Sequence, residues 1–221
     1  TALVAAVNAL GNVGSGRLLH AGMRPVRVLY IGFATMLVCG VGAFGLPAST
    51  PFLLRYAAVL LLSAVGGLVP GALFALAVRF APGPKAVSTT VGWMLQFSAL
   101  GQFVGPPIVA WVAASTGGWQ WTWTVTGTAS LLGILLATMI GGTLRMRAPM
   151  LFAAGAISVT TIGLTAEIGH SLVAVAWQVY DLSNTPSALA LVGLAWSIGL
   201  ALFLLTGGVV SDRFDRRRVM I

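Results

Sequence analysis

Residues 52–80 read FLLRYAAVLLLSAVGGLVPGALFALAVRF, and the only charges in this stretch are Arg55 and Arg79, one near each end. A bilayer's hydrocarbon core is about 30 Å thick and takes about 20 apolar helical residues to cross. The stretch is longer than a perpendicular crossing needs, so tilt or kinking is expected, and Pro70-Gly71 is the predicted kink. It does not alternate polar and apolar residues with period two, as a membrane barrel strand would. A helix is the remaining way to satisfy backbone donors inside lipid.

The same reading extends outward from this run. Similar runs cover 1–14 (cut off at its start), 27–46, 87–115, 120–143, 149–179 and 187–210, which makes seven. Of the 221 residues, 58% are hydrophobic and 7% charged; mean hydropathy is +0.98. A soluble domain carries about 25% charged residues, so a water-soluble globule is excluded. The single cysteine, Cys39, lies inside an apolar run and can support neither a disulfide framework nor a cysteine metal site. The expected fold is an all-α membrane protein, a polytopic helical bundle of seven transmembrane helices.

The net charge of +8 is explained by its placement. Threading the runs back and forth puts Arg17, Arg24, Arg27, Arg79, Lys85, Arg145, Arg147, Arg213, Arg216, Arg217 and Arg218 on one side, and Arg55 alone on the other. By the positive-inside rule the first side faces the cytoplasm, and the location is a cell (inner) membrane. Trp119, Trp121, Trp123, Tyr56, Trp177 and Tyr180 fall near the opposite ends, where amphipathic rings prefer the headgroup level. So few charges do not make the basic surface of a nucleic-acid binder. No charged leader, short apolar core and cleavage site opens the chain. Thr1 begins in mid-helix and Ile221 follows a basic loop, so the chain is expected to be a fragment.

The strongest local motif is Gly207-Gly208-Val209-Val210-Ser211-Asp212-Arg213-Phe214-Asp215-Arg216-Arg217-Arg218. It resembles the loop signature of the major facilitator superfamily: G, three residues, D, R/K, x, G, then basic pairs. Gly208, Asp212, Arg213, Arg216 and Arg217 match that pattern, while Asp215 replaces its second glycine. The replacement resembles the enterobactin-exporter-like branch, as does Trp177-Gln178-Val179-Tyr180-Asp181-Leu182-Ser183 upstream. The resemblance implies a loop that latches one state of an alternating-access cycle. Physically, Gly208 permits close backbone approach, Asp212 can pair with a helix N-terminus or an arginine, and the arginines hold the loop in water. The plainer reading is a basic stop that only sets topology.

A weaker copy of the pattern stands at Gly14 to Arg24, which implies an internal six-helix repeat. Two registers fit. The chain is either a continuous window of one transporter or the junction of two, and the order of strong and weak copies favours the junction. In that register residues 1–147 hold five C-terminal-half helices, with residues 8–145 similar to cyanate-transporter-type members, while 148–221 hold two N-terminal-half helices that begin afresh near Met150.

Gly101, Gly105 and Pro106 resemble the superfamily's antiporter motif, although Val109 and Ala110 stand where its final glycines belong. Small residues at spacing four also pack helices closely without any transport role. Glu167 lies near the middle of its run, with His170, Ala174 and Gln178 at helical offsets on roughly one face. A charge at the bilayer centre costs about 2.5 to 3.5 kcal/mol on insertion scales. Glu167, with His170, is therefore the candidate for taking up and releasing a proton; the alternative is a protonated or hydrogen-bonded carboxyl that merely packs helices. Arg55, Gln96 and Gln178 are candidates for lining a substrate cavity. For Arg55 the alternative is snorkelling to the interface, and for Gln96, as for Asn8, helix-to-helix hydrogen bonding.

A retinal receptor needs an intramembrane lysine, but the only lysine, Lys85, falls in a loop. An intramembrane enzyme needs a catalytic pair or metal ligands at depth, which Glu167 and His170 do not supply, so the chain is read as no enzyme. The resemblance implies a partial major facilitator fold performing secondary active, proton-coupled transport of a small solute, and it points to drug or metabolite efflux or to uptake of small anions without choosing between them. Its expected partners are the bilayer, a small-molecule solute and protons, without cofactor, metal or nucleic acid. The alternative is a membrane fragment or fused gene junction with no activity of its own.

Overall fold

The computed structural model describes residues 2–47 and 49–146 together with scattered positions between 161 and 198. All regular structure among the described residues is helical. The elements are α1 (Ala2–His20), α2 (Pro25–Gly40) running into a π turn (Val41–Gly45), α3 (Phe52–Gly66), α4 (Leu68–Phe80), α5 (Val87–Thr116) and α6 (Trp123–Met146). Short 3-10 turns, Pro84–Ala86 and Trp119–Trp121, precede the last two.

Four segments among the described residues are long and apolar enough to cross a membrane: Pro25–Gly45, Phe52–Phe80, Pro84–Thr116 and Trp119–Gly142. They reproduce four of the expected runs. The other three of the seven expected runs stand differently. Run 1–14 forms α1, which is not among the four, because Asn8, Asn12, Ser15 and Arg17 with its glycines dilute its apolar content. Runs 149–179 and 187–210 lie outside the described residues apart from isolated positions.

Local sequence explains where the helices start and stop. Pro25 occupies the first turn of α2, where a missing N–H costs nothing and the fixed φ is already helical. Helix α5 ends on Gly117, whose φ of +72° lies in the left-handed region, and the Gly118 N–H donates back to the Ala113 carbonyl at 3.0 Å.

The 52–80 span is interrupted at one residue, Gly67, which keeps helical dihedrals (φ −61°, ψ −16°). Helix α3 ends at Gly66 and α4 restarts at Leu68, ahead of Pro70. A proline ring clashes with the carbonyl four residues earlier, which here belongs to Gly66, so the disturbance appears at Gly66-Gly67 and not at the proline.

Helix α2 is the centre of the bundle. Val28, Leu29, Phe33 and Met36 are buried against Val59 and Leu62 of α3, Leu73 and Leu76 of α4, and Ala137 and Ile140 of α6. Outward-facing side chains stay apolar: Val38, Leu53 and Trp111 are each 70% or more exposed. Such a surface suits hydrocarbon, not water, and within it helices associate through close packing and not through exclusion of water. The α2–α6 contact shows this. A Cβ on Gly133 would stand 2.5 Å from the ring of Phe33, Gly40 faces Thr126, and Gly127 faces Leu37.

Phe33 is fully buried and has little room to retreat. Gly133→Ala should therefore destabilise the bundle by about 1–3 kcal/mol, the usual range for overpacking. Thermal unfolding in detergent checks it; a change below about 0.5 kcal/mol would mean that the ring moves aside freely.

The two ends of the bundle differ in chemistry. The start of α2, the end of α4 and the last turns of α6 meet at a cationic end, where Arg24, Arg27 and Arg79 come together. At the other end the π turn packs against the Trp119–Trp121 turn and Trp123. The aromatic cluster is not a uniform belt: Trp121 is half exposed, whereas Trp119 is buried in the core.

Candidate functional site

The most polar feature inside the described bundle is the seam between α1 and the broken span α3–α4. Ser63, buried in α3, donates through Oγ to the Val4 carbonyl at 2.9 Å. Asn8 returns a bond from Nδ2 to the Ser63 carbonyl at 3.1 Å. Further along α1, buried Ser15 donates to the Leu68 carbonyl at 2.9 Å, and Asn12 reaches Asn8 Oδ1 at 3.3 Å.

This seam closes only because it is lined with glycine. A Cβ on Gly11 would overlap the Ala64 carbonyl oxygen, one on Gly67 the Asn8 carbonyl oxygen, and one on Gly71 would stand 2.8 Å from Ser15 Cβ. Backbone therefore touches backbone where the second span is broken. At this interruption Asn8 and Ser15 of α1 bond the Ser63 and Leu68 carbonyls, the kind of side-chain hydrogen bond that joins helices inside lipid. Among the described residues its polar side chains are the hydroxyls of Ser63 and Ser15 and the amides of Asn8 and Asn12, which suit helix-to-helix hydrogen bonding. Among the described residues no group of three or more His, Cys, Asp or Glu could hold a metal ion.

The expected site residues are not gathered at this seam. Arg55, half-buried near the start of α3, donates from Nη2 to the Leu46 carbonyl at 2.8 Å and to that of Pro47. It thereby caps carbonyls left free where the π turn ends, and its buried Nε has no partner among the described residues. Gln96 is exposed on α5. Gly101, Gly105 and Pro106 lie on the buried stripe of the same helix, with Val109, Ala110 and Ala113 continuing it. Glu167, His170, Gln178, Gly208, Asp212, Arg213, Arg216 and Arg217 lie outside the described residues.

Two groups escape a reading of the sequence. Ser63 and Ser15 form the seam, and small hydroxyls in an apolar run carry no distinctive signal on their own. Arg24, Arg27 and Arg79 are legible there only as markers of topology, though the structure wraps them around one cavity.

No curated protein and no solved structure matches the chain. Residues 148–221, the segment that carries the Gly208–Arg218 motif, match the major facilitator family model described as transmembrane secretion effector, which supports a transporter-type function.

Proposed function

We infer that this protein carries out secondary active transport of a small solute across a cell membrane, coupled to protons through Glu167, with export as its direction. One observation carries the reading. The segment matched by a secretion-effector family is the one whose residues Gly208, Asp212, Arg213, Arg216 and Arg217 stand out by their spacing. The crossing helices and the lipid-suited exterior of residues 25–142 support it. A match that starts at residue 148 also supports a fresh beginning near Met150. In this reading Asp212 and the arginines of its loop hold one of the two states between which a carrier rocks.

The test is export of a fluorescent amphipathic dye from cells producing this protein, with a protonophore as control. Dye retention should fall on production and recover when the proton gradient is collapsed; retention that never differs from cells without the protein removes the transport reading. Within that assay Asp212→Asn should change the export rate at least about fivefold, the low end of coupling between two conformational states. Membrane insertion should persist. Unaltered kinetics would reduce the loop to a topology signal.

A further inference from the structure

A cavity of about 490 Å³ opens at the cationic end between α2, α4 and α6, with Arg24, Arg27 and Tyr30 on one wall, Arg79 on another, and Gly141 and Leu144 closing the third. The three arginines have no carboxylate near them in sequence. All four acidic residues of the chain are Glu167, Asp181, Asp212 and Asp215, so residues 1–166 contain none.

Helix electrostatics accounts for one of the three. Arg79 lies in the last turn of α4, where a cation answers the partial negative charge of the free carbonyls. Arg24 and Arg27 sit at the opposite, positive end of α2, where a cation is disfavoured. Membrane topology requires basic residues at this end of the bundle but does not require them to surround one cavity.

We propose that this cavity binds the phosphate group of an anionic membrane lipid. Guanidinium groups suit phosphate oxygens through paired N–H donors, and basic pockets between membrane helices are places where anionic headgroups settle. Tyr30 places a phenol on the same wall. Apolar side chains exposed within a turn of the lining residues, Ile31 on α2, Val78 on α4 and Met139 on α6, give acyl chains a surface to follow, which a free phosphate would not need.

The experiment is native mass spectrometry of the full chain in detergent, supplied with equal phosphatidylglycerol and phosphatidylcholine. The protein should retain phosphatidylglycerol in preference, and Arg27→Gln with Arg79→Gln should weaken that retention about tenfold or more. The charge-matched pair Arg17→Gln with Lys85→Gln, at the same end but away from the cavity lining, should stay within about twofold of the unaltered protein. Equal losses in the two double variants would show a diffuse charge effect and overturn the proposal, as would equal retention of the two lipids. Displacement of the lipid by millimolar inorganic phosphate, with no advantage for the lipid, would assign the cavity to a free anion and overturn it too. Circular dichroism of each variant separates lost binding from lost fold: if Arg27→Gln with Arg79→Gln unfolds, the single variant Arg27→Gln decides, and unchanged retention there overturns the proposal.

Discussion

Gly67→Ala should destabilise this bundle by about 3 kcal/mol or more, enough to remove much of its folded yield. The added methyl would overlap the Asn8 carbonyl oxygen, which belongs to the backbone of α1 and cannot rotate away. Relief requires α1 to move off the α3–α4 span, and that motion breaks the bonds from Ser63 to Val4, Asn8 to Ser63 and Ser15 to Leu68. Overpacking costs about 1–3 kcal/mol, and each interhelical hydrogen bond in a membrane protein averages about 0.6 kcal/mol. Gly11→Ala should behave alike, since its methyl would overlap the Ala64 carbonyl oxygen. Gly16→Ala is the control: nothing stands within 4 Å of its Cβ position, so better helix propensity should leave it neutral or slightly more stable. Denaturation in detergent, titrated with sodium dodecyl sulfate, orders the three variants. A Gly67→Ala protein as stable as Gly16→Ala would mean that the seam is looser than its geometry.

Glu167→Gln should abolish transport that depends on a pH gradient while leaving the protein inserted. The side chain keeps its size but loses the carboxyl proposed to exchange a proton, and an uncharged residue within an apolar run inserts at least as readily as a carboxylate. Dye export measured across imposed pH gradients is the readout. Export that keeps its full dependence on the gradient would leave Glu167 as a packing residue. His170→Gln provides a comparison, because a carboxyl that exchanges protons alone should tolerate it better than one that hands them to the imidazole.

Much of this fold is legible in the amino-acid order, for a simple physical reason. Hydropathy over twenty residues is a strong signal, and the apolar run 27–46 corresponds to a span at Pro25–Gly45. Proline in the 52–80 stretch announces a kink, but the ring acts on a carbonyl one turn back, so the break falls at Gly66-Gly67. The partner of that break is not legible. Asn8 and Ser63 are 55 residues apart, and no local pattern says that an amide on one helix will find a carbonyl on another. Arg55 illustrates the same limit: its charge is visible, but not its use as a cap on Leu46 and Pro47. Run 1–14 is legible as a helix, α1, but not the use of its Asn8 and Ser15, which bond carbonyls of the α3–α4 span.

The crowding of all four carboxyls beyond residue 166 has a consequence for the bundle that precedes them. Proteins usually come apart in acid because carboxylates lose the ion pairs or hydrogen bonds that held the native state together. Residues 2–146 have no carboxylate of their own to lose, and the hydrogen bonds between α1 and the α3–α4 span run between hydroxyl, amide and carbonyl groups that acid leaves unchanged. Every carboxylate that acid can neutralise in this protein therefore belongs to the remainder of the chain.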